Sequence, residues 1–220
     1  MVESECASEC GTPSNQGFFR RLFTPQIDLN DAIRTLNLVE LVGPLDKDGF
    51  DPNECPASVS GEAVFDCEKV TLVYVVRRLG CPLCRGPIID FVREENNKSL
   101  RDVRIVVISS QNENWEDFLT VCFFDNNFTD VSLYIDAEEK IKKEVFGGKP
   151  WKPIWLLKLS VLRSMMVYKD VPRKSNDMTD KTNLLGGEII VRDKNVNFAR
   201  REGRDFSHTP SKELNKFLSM

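Results

Sequence analysis

The chain has 220 residues, of which 41% are hydrophobic and 29% charged, so one globular domain with a sizeable core and some extensions is expected. The net charge of −4 excludes a global basic field that would attract nucleic acid, and the basic stretch at 194–204 is typical of alternating charge on an exposed strand. The polar, acidic start lacks the segments of a signal peptide, and seven cysteines are an odd number for a disulfide scaffold, so a cytoplasmic protein with reduced thiols is expected.

The N-terminal part of the chain contains little periodic apolar sequence. Residues 1–25 are predicted to be a disordered tail, which includes Cys6 and Cys10. Residues 26–64 are predicted to form an extension with one short helix and a loop, and residues 65–220 to form the main domain. The helix is expected to begin near a capping Asp or Asn and to end before a glycine, and a loop rich in Gly, Pro and Asp follows it.

From residue 69 onward, apolar runs and helical patterns alternate. Continuous β-branched runs predict buried strands, and apolar residues at helical spacing predict the helices that follow them. The predicted strands are 69–78, 101–110 and 131–136, and the predicted helices are the segment containing Ile88, Phe91 and Val92, then 112–124 and 137–146. This alternation predicts an α/β architecture in which a mixed sheet is covered on both faces.

In the C-terminal part of the chain, the spacing of the apolar residues changes. Two strand-like runs within 186–202 are joined by the polar sequence RDKN, which predicts an antiparallel hairpin. The last segment, 208–218, predicts a helix with Thr209 as its cap and Pro210 in the first helical position.

Residues 151–168 form the most apolar segment of the chain. Lys158 and Arg163 interrupt it, and its length is at the lower limit for crossing a bilayer. We therefore expect a buried or partly buried helix, or else a lid or a partner-binding face, and we do not expect a membrane as a partner.

Cys81 and Cys84 lie three positions apart, between the first predicted strand and the helix after it. In an open α/β sheet the carboxyl ends of the strands form the functional crevice, and the positive end of a helix favours a thiolate. Three arginines close in sequence would add to this effect, namely Arg77, Arg78 and Arg85. Lowering a thiol pKa by about 2 units raises the thiolate fraction at neutral pH from about 3% to about three quarters.

A metal site is not expected. Structural zinc needs four Cys or His ligands, but Cys55 and Cys67 are isolated and His208 is the single histidine. We interpret His208 as a residue of a surface turn and Cys122 as a core side chain of a helix. With one histidine, a Cys-His or Ser-His-Asp site is also hard to build. A CxxC after a strand in a βαβ pattern is typical of a thioredoxin-like redox motif.

The sequence also resembles a known family. The stretch VVRRLGCPLCRG, the later strand LLGGEIIV and the basic stretch NFARREGRD resemble the peroxiredoxin-like 2 group of the AhpC/TSA superfamily, over about residues 65–218. The resemblance implies a thioredoxin-like mixed sheet flanked by helices, with a C-terminal antiparallel hairpin and an inserted apolar helix. It also implies that Cys81 is the attacking cysteine and Cys84 its partner. Members of the group are antioxidant or redox-regulatory proteins, and one branch reduces prostaglandin endoperoxides.

The sequence around the candidate site differs from the motifs of typical peroxiredoxins and of thioredoxins. Residues 73–80 contain neither the Pro nor the Thr of the Pro-x-x-x-Thr-x-x-Cys loop in typical peroxiredoxins. Thioredoxins place a proline before the strand that faces their CxxC, whereas this chain has Leu185, Gly186 and Gly187 there. The two glycines would let a substrate approach closely, or would serve a tight turn.

We therefore expect a thiol-dependent oxidoreductase of peroxiredoxin-like type, which reduces a peroxide or endoperoxide through Cys81 while Cys84 resolves the product. Arg77 or Arg78 would hold the thiolate and polarise the departing oxygen. No bound cofactor is expected, because an external thioredoxin or glutathione system would restore the cysteines. The alternatives are a protein disulfide reductase and a non-catalytic interaction protein that uses the 151–168 segment as a partner surface.

Overall fold

The computed structural model describes residues 29–42, 58–65, 69–95, 103–150, 152, 158–172, 184–203 and 206–219. The tail predicted for 1–25, most of the predicted loop and four of the cysteines lie outside the described residues. Those cysteines are Cys6, Cys10, Cys55 and Cys67.

Strands and helices alternate along the described chain. The strands are β1 (Asn37–Val42), β2 (Ser58–Ser60), β3 (Val70–Val75), β4 (Val103–Ser109), β5 (Val131–Ile135), β6 (Gly187–Arg192) and β7 (Asn195–Arg201). The helices are α1 (Leu29–Arg34), α2 (Gly61–Phe65), α3 (Pro82–Glu95), α4 (Trp115–Cys122), α5 (Lys140–Glu144), α6 (Leu159–Val167) and α7 (Ser211–Leu218), and a 3-10 turn spans Phe124–Asn126.

The strands form one mixed sheet in the order β2-β1-β5-β4-β3-β6-β7. Strand β4 is parallel to both β3 and β5, whereas the other neighbours pair antiparallel. The three buried strands predicted from the β-branched runs are confirmed as β3, β4 and β5. The predicted α/β class with a mixed sheet is also confirmed.

Helices cover both faces of the sheet. Alternate residues of β3 point to opposite faces, so Leu72 and Tyr74 pack in one core and Val73 and Val75 in the other. Helices α3, α4 and α7 pack on the first face, and α1, α2 and α5 contribute to the core on the second. Each central strand therefore buries its apolar side chains on both faces of the sheet, as its continuous apolar sequence indicates.

The helix predicted near the N-terminus is partly wrong. It ends at Arg34, and residues 37–42 form β1 instead. This strand pairs with the edge of β5 and with β2, which lies within the predicted loop. A short apolar run fits a strand as well as a helix, and the unpaired edge of β5 decides the outcome through backbone hydrogen bonds that the local sequence does not reveal. The division of the chain at residue 65 stays a prediction.

The predicted hairpin is confirmed, and its turn has a specific chemistry. Arg192 pairs with Asn195, while Asp193 and Lys194 between them have φ values of 50° and 63°. A two-residue loop with both residues in the left-handed region matches the twist of the strands that it joins. The turn thus fixes the register that places the end of β7 beside the start of β6.

The apolar segment at 151–168 is described only in part, because residues 151 and 153–157 lie outside the described residues. Helix α6 begins at Leu159, and only Val161 in it is buried, while its outward side is exposed. Within the described residues no helix is both long enough and apolar enough to span a membrane. For the described part of the segment, the prediction of a partly buried helix is confirmed.

Candidate functional site

Cys81 lies where β3 passes into α3. Its carbonyl oxygen accepts hydrogen bonds from the backbone amides of Cys84, at 2.9 Å, and Arg85, at 3.0 Å, so Cys81 occupies the cap position of the helix. Pro82 follows as the first helical residue, where a missing amide hydrogen costs nothing. The helix continues through Pro87 to Glu95. Both cysteines are therefore part of the first turn.

The two cysteines have different environments. Cys81 is half-buried, whereas Cys84 is only 1% exposed and faces the core. A hydrogen bond from the Cys84 thiol, the charge of Arg77 and the backbone amide of Leu83 lower the pKa of Cys81 to about 5, against the opposing effect of burial. The same hydrogen bond, together with burial, raises the pKa of Cys84. Cys81 is therefore the thiolate of the pair and Cys84 the thiol that donates to it.

Arg77 brings a positive charge to the thiolate. Its side chain is buried, and Nη2 lies 3.8 Å from Sγ of Cys81. Its Nε donates to both carboxylate oxygens of Glu202, at 3.1 and 2.9 Å, and its guanidinium lies over the ring of Phe206 at 4.3 Å. These contacts orient the guanidinium towards the sulfur.

Glu202 belongs to a buried network of charges. Burial raises the pKa of this carboxyl, but the charges of Arg77 and His208 outweigh that effect and lower it to about 2. Nε2 of His208 lies 3.6 Å from Glu202, and Nδ1 donates to Glu188, which also accepts a hydrogen bond of 3.1 Å from the hydroxyl of Thr209. Burial lowers the pKa of His208, but Glu188 and Glu202 together raise it to about 10. Behind Cys81, the positive charges of Arg77 and His208 are thus paired with the carboxylates of Glu188 and Glu202.

The interpretation of His208 as a surface-turn residue is wrong. Its side chain is 7% exposed and sits between two carboxylates, neither of which the sequence reasoning selected. Glu188 interrupts the apolar sequence of β6 and is fully buried, and a charged residue inside a buried strand is a signal that could have marked it. Glu202 stands 125 positions from Arg77 within a basic stretch, so no local pattern indicates their pairing.

The other two arginines of the motif occupy different positions. Arg85 is completely buried and donates to Asp117 at 2.7 Å and to the carbonyl oxygen of Pro172 at 3.1 Å. It therefore ties α3 to α4 and to the segment after α6. Arg78 is buried as well. The guanidinium contact that the described structure places at the Cys81 sulfur belongs to Arg77.

Gly186 and Gly187 lie beside this network, at the start of β6. The amide of Gly186 donates to Glu202 at 3.3 Å, and its carbonyl accepts from the Glu202 amide at 2.9 Å. A Cβ atom at Gly186 would collide with the carbonyl oxygen of Val75, and one at Gly187 with that of Arg200. Close packing of backbones thus requires both glycines, and their role in substrate binding stays a prediction.

Cys122 lies on the buried face of α4, as predicted. Burial raises the pKa of its thiol, so it stays protonated at neutral pH. Among the residues that the structure describes, no three His, Cys, Asp or Glu side chains are arranged to hold a metal ion.

Alkylation at pH 6 should label Cys81 well ahead of Cys84 and Cys122. With a pKa of about 5, most of the Cys81 thiol is ionised at that pH, whereas a thiol of ordinary pKa is about 0.3% ionised. Peptide mass spectrometry after timed iodoacetamide treatment measures the three rates, and a urea-denatured sample, in which the three should react alike, is the control. A half-maximal Cys81 rate near pH 8.5 would show that the site does not activate this thiol.

The substitution Gly186→Ala should lower the free energy of unfolding by about 3 kcal/mol, because the backbone of β3 or β6 must shift to admit the methyl group. Gly147 provides a comparison, since it has open space around it and a φ of 75°. Gly147→Ala should cost only about 1 kcal/mol, from the left-handed backbone alone. Urea denaturation followed by circular dichroism measures both values, and equal losses would argue against close packing at Gly186.

Solved structures with a similar fold are known, at low sequence identity. No family model and no curated protein matches the sequence. The bacterioferritin comigratory protein of Xanthomonas campestris, whose structures address alkyl peroxide reduction, is 12% identical, with 90% of this chain and 95% of that chain covered and a TM-score of 0.51. AhpC of Mycobacterium tuberculosis is 15% identical, with 89% and 93% covered and a TM-score of 0.50.

A third similar structure is a mutant of peroxiredoxin 6 from Arenicola marina. It is 10% identical, with 74% of this chain covered and a TM-score of 0.50. The match covers 65% of that protein, which is less than two thirds of its length. The three structures share a thioredoxin-like fold with this chain.

Proposed function

We propose that this protein is a thiol-dependent peroxidase of the peroxiredoxin-like 2 type, in which Cys81 attacks the peroxide and Cys84 resolves the product. The observation that carries the proposal is the placement of Cys81 at the start of α3, with Nη2 of Arg77 3.8 Å from its sulfur and the buried thiol of Cys84 in the same helical turn. This arrangement provides a thiolate, a neighbouring cation and a second thiol.

The chemistry follows from these groups. The Cys81 thiolate attacks one peroxide oxygen, so an S–O bond forms, the O–O bond breaks, and sulfur loses two electrons to the peroxide. The departing alkoxide takes a proton from water and leaves as an alcohol. The Cys84 thiol then condenses with the sulfenic acid on Cys81, which releases water and forms a disulfide. An external dithiol reduces that disulfide and restores both thiols.

Arg77 has two roles in this scheme. Its positive charge favours the thiolate over the thiol, and the same guanidinium can stabilise the negative charge that develops on the departing oxygen. Glu202 acts through Arg77 and is a positioning residue, because its carboxylate holds Nε at 2.9 Å and leaves Nη2 free to face the sulfur. This geometry favours Arg77 over Arg78 as the residue that acts on the thiolate.

The substrate is proposed from one similar structure, and the reductant from the CxxC spacing. One similar structure addresses alkyl peroxide reduction by its own protein, which favours an organic peroxide as the substrate here. An endoperoxide is a related substrate in which the same O–O bond would break. Attack would leave a sulfenate ester on Cys81, and the Cys84 thiol would form the disulfide by displacing the second oxygen as an alcohol. The CxxC spacing suits recycling by a thioredoxin or glutathione system in the cytoplasm.

Peroxide consumption in a recycling assay tests the proposal. The purified chain, thioredoxin, thioredoxin reductase and NADPH are mixed with hydrogen peroxide or cumene hydroperoxide, and loss of NADPH absorbance measures turnover. Turnover should depend on this protein and be unchanged in Cys122→Ser, a matched control because Cys122 is a buried thiol outside the CxxC motif. No turnover with either peroxide, from either the thioredoxin or the glutathione system, would reject the proposal.

A protein disulfide reductase is the second candidate. It is favoured by one observation, the contrast between a half-buried Cys81 and a buried Cys84 within a CxxC at the start of a helix. An insulin-reduction assay with dithiothreitol distinguishes the two functions, because a disulfide reductase accelerates insulin precipitation and a peroxidase does not.

A further inference from the structure

Helix α6 presents an apolar face to solvent. Among the described residues, all of the large hydrophobic side chains that are exposed belong to this helix, with Leu159 at 83% and Met166 at 73% exposure. We call this set the α6 apolar face: Leu159, Leu162, Met165, Met166 and Val167. Exposed hydrophobic side chains are usually scattered over a protein surface, whereas here they all lie on one short helix. Such a cluster indicates a contact surface.

The opposite side of α6 fixes this orientation. Val161 is fully buried in a small apolar cluster with Leu83, Leu185 and Phe206. The hydroxyl of Tyr168, at the end of the helix, donates to Asp90 of α3 at 2.8 Å. The apolar face therefore points outward because the helix is docked on its other side.

The charges on α6 and in the sequence before it are basic, although acidic Asp170 follows the helix and Asp90 of α3 contacts its end. Residues 152–169 contain four basic side chains and no acidic one, although the whole chain has a net charge of −4. The basic residues Lys158, Arg163 and Lys169 are exposed on or beside α6. Leu and Met together with Lys and Arg are typical of helices that lie in the headgroup region of a bilayer.

The size of the face argues against a stable protein partner. A helix of 9 residues is about 13 Å long, and the accessible surface of its five exposed apolar side chains is smaller than one side of a standard protein interface. A standard protein interface covers about 800 Å² on each partner. A bilayer has no such requirement, because a few apolar side chains and several cations can bind it together.

We propose that the α6 apolar face is a membrane-contact surface that lies on anionic lipid bilayers, with its apolar side chains between the headgroups and its basic residues on the lipid phosphates. This inference goes beyond the proposed function and revises the sequence-based expectation that a membrane is not a partner. It concerns a helix on the surface of a bilayer, not one that crosses it. Since Cys81 packs against the same apolar cluster as Val161, the contact would hold the thiol near the lipid surface.

Flotation with lipid vesicles tests the proposal on the full chain. Vesicles of phosphatidylcholine alone are compared with vesicles containing about 30% phosphatidylserine, at low and at high salt. Binding should be stronger to the anionic vesicles and should weaken as salt rises, since each basic residue near the surface contributes about fivefold in partitioning. Arg163→Ala should accordingly reduce binding by about fivefold.

A charge placed on the face should abolish the contact. The double variant Leu162→Glu/Met166→Glu should lose at least tenfold in binding, because it removes two apolar side chains and adds two negative charges. The matched control is Ala63→Glu/Thr120→Glu, which adds the same charge at exposed positions of α2 and α4 and should lose much less. Circular dichroism and the alkylation rate of Cys81 verify that each variant is folded.

Three outcomes would overturn the proposal. They are the absence of wild-type binding to anionic vesicles, equal binding to both lipid compositions, and equal losses in the double variant and its control. A dimer in sedimentation that the double variant alone dissociates would assign the face to self-association instead. Cys81→Ser should bind vesicles as the wild type does, so failure of the peroxidase assay leaves the membrane test intact.

Discussion

The variant Cys81→Ser is expected to lose even the first turnover of peroxide, whereas Cys84→Ser should complete one rapid turnover and then stop. A serine hydroxyl is not ionised near neutral pH and cannot replace the thiolate as a nucleophile. In Cys84→Ser the thiolate still attacks, but no second thiol condenses with the sulfenic acid, which accumulates on Cys81. Rapid-mixing measurement of peroxide loss, with dimedone labelling and mass spectrometry, detects both results.

The burst should equal about one peroxide per chain, since each Cys81 reacts once. Cys122→Ser is the control and should cycle as the wild type does, because its thiol is fully buried and lies outside the CxxC motif. Steady-state cycling in Cys84→Ser, with a disulfide from Cys81 to another cysteine, would show that the resolving residue is misassigned. A burst in Cys81→Ser would show that the nucleophile is misassigned.

The variant Arg77→Met should lower the second-order rate constant with peroxide by about 100-fold, because it removes the charge next to the sulfur and to the departing oxygen. The pKa of Cys81 should rise as well, since the charge of Arg77 lowers it in the wild type. The wild-type rate should thus be nearly flat from pH 6 to 8, while the variant rate rises with pH. Stopped-flow kinetics across that pH range measures both effects.

Loss of Arg77 also leaves Glu202 buried without its main partner, which should cost about 3 kcal/mol of stability. The double variant Arg77→Met/Glu202→Gln separates the two roles, because it removes the unpaired carboxylate without restoring the cation. It should recover much of the stability and none of the rate. Arg78→Met is the matched single variant at a buried neighbour, and a rate loss equal to that of Arg77→Met would contradict the assignment of Arg77.

Much of the fold follows from sequence periodicity. The β-branched runs of β3, β4 and β5 predict buried strands, because few other environments accommodate continuous apolar sequence of that length. The polar turn between β6 and β7 likewise predicts their hairpin. Strand β1 was missed because pairing with β5 depends on a partner about 95 positions away, and short apolar runs fit two kinds of structure.

For the candidate site too, some residues could be predicted from the sequence and others could not. Cys81 and Cys84 are neighbours along the chain, so their spacing and the strand before them are enough to locate both. The network behind them depends on Glu188, Glu202 and His208, which reach the site only when β6 and β7 pair with the sheet. Sequence reasoning assigned His208 to a surface turn because it is the single histidine and lies in the polar stretch DFSHTP. Of the two buried carboxylates, Glu188 is marked by its place in the apolar run of β6, whereas Glu202 has no local signature.

The burial of Cys84 determines how the oxidised protein would be regenerated. In a disulfide between the two cysteines, the sulfur of Cys81 would be the accessible one, because Cys84 is 1% exposed in the core. An incoming reductant thiolate would therefore attack Cys81, form a mixed disulfide there, and expel Cys84 as the leaving group. The protonation of a buried thiol would then govern the rate of regeneration, since a leaving thiol of high pKa departs slowly.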